Sequence, residues 1–105
     1  MSEWATVAGA GELAEGATLV GDFEGVEVLL VRHQGSVYAF ENRCSHDGSP
    51  LAGGQVKDGA LVCPHHRARF ALADGAALCA PAYEPLTCFA VRLSEGCIQL
   101  RDERW

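Results

Sequence analysis

Apolar and polar residues alternate over short distances along most of the chain. In "GVEVLLVRHQGSVYAFE", residues 25–41, Val26, Val28 and Leu30 recur every second position. "HQGS" then supplies a turn, and Val37, Tyr38 and Phe40 return. This pattern predicts a β-hairpin. "ATLVGDF", "ALVC", "RFAL", "CFAVRL" and "CIQLR" predict further strands, with a turn at "SEGC", residues 94–97, between the last two. Only "GELAEG", residues 11–16, has room for a helical turn. No repeat or low-complexity segment interrupts the series. Short strands at this spacing predict an all-β fold, a small sandwich or barrel.

Two stretches break the strand pattern. "NRCSHDGSPLAGG", residues 42–54, has three glycines, a proline and no useful periodicity. "CPHHRARF", residues 63–70, follows one short strand and leads into another. Both read as loops held at one end of a rigid sheet, where functional residues concentrate.

Length and composition narrow the class. A chain of 105 residues, 49% apolar, suits one domain with a single small core. No apolar run approaches the roughly 18 residues needed to span a bilayer. Met1–Gly16 carries Glu3, Glu12 and Glu15 and no base, unlike a signal peptide. The expectation is a cytoplasmic protein with reduced thiols, and the odd number of cysteines, five, also argues against a disulfide framework. The net charge of −6 is uneven: residues 1–31 hold six acids and no Lys or Arg. Residues 41–70 set Arg43, Lys57, Arg67 and Arg69 against Glu41, Asp47 and Asp58. An acidic chain is a poor nucleic-acid binder. Its acidic third is either a solvated surface or a face that steers a basic protein partner.

The two loops carry the candidate chemistry. The first holds Cys44 and His46; the second holds Cys63 and either His65 or His66. With His66 the pattern is C-x-H, sixteen residues, then C-x-x-H. Zinc accepts two Cys and two His, but its sites usually keep like ligands together, and C-x-H is a tight chelate for one ion. A single iron or copper meets the same difficulty. A [2Fe–2S] cluster removes it, because each loop sends its cysteine to one iron and its histidine to the other.

"CSHDGSPL" and "CPHHRARF" resemble the two cluster-binding boxes of the Rieske ferredoxins, C-x-H and C-P-x-H-x-x-x-F. "SVYAFENRCSH" is similar to the strand feeding the first box, "DGAALCAPAYEPL" to the segment after the second, and "FAVRLSEGCIQL" to the closing hairpin. The resemblance implies a single domain over residues 1–105, with a β base and a cluster-binding subdomain at about 42–82. It implies one [2Fe–2S] cluster per chain, with Cys44 and Cys63 on the inner iron and His46 and His66 on the outer one. His66 is thus the ligand, and Pro64, by fixing φ, sets the tight turn that brings it back. The family usually has glycine after that histidine; here it is Arg67. His65 is expected to face solvent or a partner. Gly48 and Pro50 are expected to shape the first loop, and Pro81 and Ala82 to shield the cluster. Cys79, Cys88 and Cys97 are expected to be small buried hydrophobes. Trp4 and Trp105 are expected to pack.

The functions implied are those of an electron-transfer component. One is a soluble carrier, monomeric when free, between a flavin reductase and a terminal oxygenase. The others are the small subunit of an assimilatory nitrite reductase, beside its large subunit, and a cluster-based redox sensor. The chain lacks a G-x-G-x-x-G for a flavin or nicotinamide cofactor. An oxygenase would need a further domain with a 2-His-1-carboxylate iron site, which these residues do not supply. The high-potential Rieske proteins of cytochrome bc complexes add a loop-tying disulfide and two hydroxyl donors. Their positions match Ser49 and His65, and Ala68 and Phe70, so a low potential is expected.

Overall fold

A computed structural model describes residues 4–45, 48–65, 67–79 and 84–102. The elements in order are β1 (Ala5–Gly9), a 3₁₀ turn (Ala10–Glu12), β2 (Thr18–Phe23), β3 (Val26–His33) and β4 (Ser36–Glu41). Then follow β5 (Gln55–Lys57), β6 (Ala60–Val62), β7 (Arg69–Ala71), β8 (Cys88–Ser94) and β9 (Cys97–Arg101). Among the described residues there is no α-helix, and the fold is all-β as the pattern predicts. β1 and β5 were not anticipated.

Turn chemistry fixes the hairpins. Glu24-Gly25, Gln34-Gly35, Asp58-Gly59 and Glu95-Gly96 each have positive φ at both residues. That is the type I′ geometry, whose twist matches the flanking strands. The larger sheet has six strands in the order β1-β9-β8-β4-β3-β2, all pairs antiparallel. Its edges approach each other, since Gly21 of β2 lies against Val7 of β1, so the sheet nearly closes into a barrel. The smaller sheet has three strands in the order β5-β6-β7.

Val26, Val28 and Leu30 face one side as the alternation predicts, and all four residues of the run Val28-Leu29-Leu30-Val31 are buried. Val28 and Leu30 join Leu13, Phe23, Ala39, Phe89, Ile98 and Leu100 in the barrel core. Leu29 and Val31, with Phe40, face the other way into a second core containing Leu51, Leu61, Phe70 and Leu86. β3 and β4 are therefore covered on both faces, which explains a continuous apolar run in place of strict alternation. Each buried Val, Leu or Phe side chain contributes roughly 1.5–3 kcal/mol. The second core fastens the small sheet and its loops onto the barrel wall.

Candidate metal centre

Both loops leave the same end of the small sheet. Gln55 pairs with Val62 and Val62 with Arg69, so residues 42–54 enter, and residues 63–68 connect, at that end. The Asp58-Gly59 turn lies at the opposite end. Cys44 and Cys63 are each 0% exposed and belong to one apolar core. Neither forms a disulfide.

The loops repeat one backbone device. Gly48 N–H donates to the Cys44 carbonyl at 2.8 Å, and Cys44 N–H donates to the Ser49 carbonyl at 2.7 Å. In the second loop Arg67 N–H donates to the Cys63 carbonyl at 3.0 Å, and Cys63 N–H donates to the Ala68 carbonyl at 2.8 Å. The residue four beyond each cysteine sits in the left-handed region: Gly48 at φ 80° and Arg67 at φ 58°. Glycine takes that conformation freely, whereas arginine there costs of order 1 kcal/mol. The missing glycine after the second box thus leaves the backbone in the conformation that glycine would favour.

Further contacts hold the loops in place. Asn42, buried at the end of β4, accepts from Leu51 N–H at 2.7 Å and Ala52 N–H at 2.9 Å through Oδ1. Its Nδ2 donates to Glu27 Oε1 at 2.6 Å. Gly54 ends the first loop where a Cβ would collide with the Val62 carbonyl and stand 3.4 Å from Pro64 Cδ. Ser45 Oγ donates to the Glu84 carbonyl at 2.6 Å, joining the first loop to the segment before β8. Sequence reasoning passed over Asn42 and Gly54. An asparagine at a strand end was the available signal for the first, whereas Gly54 becomes legible only from the close approach.

His46 and His66 lie outside the described residues, as do Pro81, Ala82 and Trp105. Among the described residues no group of three or more His, Cys, Asp or Glu side chains comes together. Pro64 and His65 are exposed, and Ala68 and Phe70 are fully buried. One expectation is corrected: Cys79 is exposed, because it lies just past Leu78, whose N–H makes the last backbone bond to the small sheet among the described residues. Cys88 and Cys97 are half-buried, and burial, followed by the Asp74 charge, raises the Cys88 thiol pKa. The guanidinium groups of Arg92 and Arg101 each stand over the Trp4 ring, 4.7 Å from its centroid.

Two buried thiols on matched loops fit the cysteine half of a cluster shell bound from two sides. The family model for the Rieske [2Fe-2S] domain matches residues 3–90, and the chain belongs to that family. Its cofactor is one [2Fe–2S] cluster. The chain is 37% identical over 75 residues to a 3-phenylpropionate/cinnamic acid dioxygenase ferredoxin subunit of Photorhabdus laumondii subsp. laumondii, covering 70% of this chain and 71% of the relative. In structure it is similar to the ferredoxin of carbazole 1,9a-dioxygenase from Nocardioides aromaticivorans IC177, with TM-score 0.88, 30% identity and coverage of 95% and 98%. It is also similar to a chain in a complex of reduced oxygenase and oxidized ferredoxin in carbazole 1,9a-dioxygenase, with TM-score 0.87, 25% identity and coverage of 97% and 95%.

Proposed function

We propose that this chain is a soluble, low-potential one-electron carrier that takes an electron from a flavin reductase and passes it to a terminal oxygenase in the cytoplasm. The observation that carries the reading is the near end-to-end match to a dioxygenase ferredoxin, 95% of this chain against 98% of that one. The solved ferredoxin–oxygenase complex supports an oxygenase as acceptor. No helix of this chain is long and apolar enough to cross a membrane among the described residues.

In this reading Cys44, His46, Cys63 and His66 hold the cluster at the tip of a cluster-binding subdomain spanning about 42–82. A bound Rieske cluster supplies a reversible one-electron couple. The chain's own residues fix how that couple is housed. Burial keeps the Cys44 and Cys63 side chains out of water, and the paired turns hold their backbones rigid. Exposed Pro64 and His65 leave the crest of the second loop open to a partner. Ala68 and Phe70 bring no hydroxyl to the buried side of that loop, which favours a low potential.

The test is a pair of variants followed by electron transfer. His66→Ala should abolish the Rieske absorption and EPR signal, and His65→Ala should keep both. The reverse result would assign the ligand to His65. The reduced wild-type chain, mixed anaerobically with the terminal oxygenase of a ring-hydroxylating dioxygenase system, should be reoxidised in a second-order reaction. Failure to transfer, with co-purification on a sirohaem reductase, would make it a nitrite reductase subunit instead.

A further inference from the structure

We propose that the outer face of the small sheet, below the second loop, is a docking surface for an acidic patch on the electron acceptor; the identity of that acceptor rests on the oxygenase reading above. The first indication is Arg67. Among the described residues five non-glycine residues have positive φ, and four of them open the type I′ hairpin turns. The fifth is Arg67, which no glycine follows. Its counterpart in the first loop, bonded in the same way, is Gly48. An exposed guanidinium is thus held at a position where glycine would relieve backbone strain. Strain kept at such a site points to a use for the side chain.

The second indication is the surroundings. Arg67 lines an open groove with Gln55, Lys57, Val62, Pro64 and the backbone around Cys63. Among the described residues the groove has two cations and no acid along its walls, although the chain carries a net charge of −6. The sheet register extends the surface. Gln55, Val62 and Arg69 are directly paired, so they share the face opposite to Val56, Leu61 and Phe70. The Phe70–Ala77 bridge places Leu78 opposite Arg69 on that outer face, and Leu78 is 56% exposed. The result is an apolar residue beside Arg69 at the loop end of the sheet, where Arg67 also stands. Lys57 lines the groove from the other end, next to Asp58 at the turn. On the first-loop flank the charges differ: Glu41 and Glu84 line a separate groove with Arg43. The rim of the site is therefore electrically lopsided, and the basic flank offers what a carboxylate-rich partner surface needs. Of the two readings of the acidic third, this proposal favours a solvated surface over a steering face.

Small charged oxidants test the local sign without any partner. The reduced holoprotein is oxidised by ferricyanide, a trianion, and by tris(phenanthroline)cobalt(III), a trication, over a range of ionic strength. The ferricyanide rate should fall as salt rises, opposite to what the net charge alone dictates. Arg67→Gly combined with Lys57→Gln should remove or reverse that slope while leaving the cluster absorption intact. Arg67→Gly alone should also raise the melting midpoint by about 4–6 °C, showing that the position is kept for its charge. A ferricyanide rate that rises with salt in the wild type, or a slope unchanged in the double variant, overturns the proposal. With the oxygenase, the double variant should react roughly tenfold more slowly at low salt. If the wild type does not reduce the oxygenase at all, the carrier reading fails. If it does, and the double variant matches it in rate and salt slope, only the docking surface fails.

Discussion

Removing the Asn42 side chain should loosen the first loop more than any other single polar truncation near the site. Asn42→Ala takes the acceptor away from two backbone donors. Leu51 is 0% exposed, so its N–H, now 2.7 Å from Asn42 Oδ1, would be left without a partner in an apolar core. A buried orphan donor costs about 1–3 kcal/mol. Ala52 is half-buried, so its N–H regains water at smaller cost. Glu27 is exposed, and its carboxylate exchanges the Asn42 amide for solvent with little loss. The sum is about 2–4 kcal/mol, a large share of the 5–15 kcal/mol that holds a typical domain together. Thermal melts followed at the cluster absorption and in the far ultraviolet should show the midpoint falling by about 10 °C or more. The cluster signal should go first, because the loop delivering Cys44 is what loosens. Asn42→Asp keeps the acceptor but places a second carboxylate against Glu27, so it should fall between alanine and wild type and improve as pH drops. An Asn42→Ala protein melting within about 2 °C of wild type, with unchanged cluster retention, would refute this account of the loop.

Two further outcomes follow from other parts of the fold. Glu15 accepts from Gly35 N–H at 2.8 Å and Gln34 N–H at 2.6 Å, and these bonds, the Gly35 one foremost, lower its pKa from 4.5. A depressed carboxylate stabilises above its unfolded pKa and loses that contribution as pH falls through the folded one. Melting midpoints of wild type and Glu15→Gln should therefore differ at neutral pH and converge below 4.5; a gap independent of pH would remove the cap from the explanation. Ala68→Ser with Phe70→Tyr adds hydroxyl donors at two fully buried positions, and the midpoint potential should shift upward. An unchanged potential with a lower melting temperature would mean that the hydroxyls found no acceptor.

Much of this was legible in the chain, and the parts that were not share a physical cause. Glycine after Gln34 and Glu95 marked two of the four turns that have positive φ, whereas the turns at Glu24-Gly25 and Asp58-Gly59 were not singled out. The C-x-H and C-x-x-H boxes carried the ligand reading, and Cys44 and Cys63 do share one core. β1 and β5 escaped notice because "ATVAG" and "QVK" are too short and weakly patterned to stand out from loops. The alternation of Val26, Val28 and Leu30 holds in β3, but the burial of Leu29 and Val31 on its other face depends on a second core built from residues far along the chain. Asn42 and Gly54 matter through long-range contacts that no local pattern encodes. Arg67 was visible as a departure from the family motif, but its φ had to be seen before its cost could be assigned.

The most direct test of the central claim is voltammetry of the cluster-loaded wild-type protein. A Rieske carrier whose loops lack the disulfide and the hydroxyl donors should give a single one-electron wave at the low end of the Rieske range, near about −150 mV. A clearly positive potential, or a wave of another electron count, would contradict both the low-potential site and the carrier role built on it.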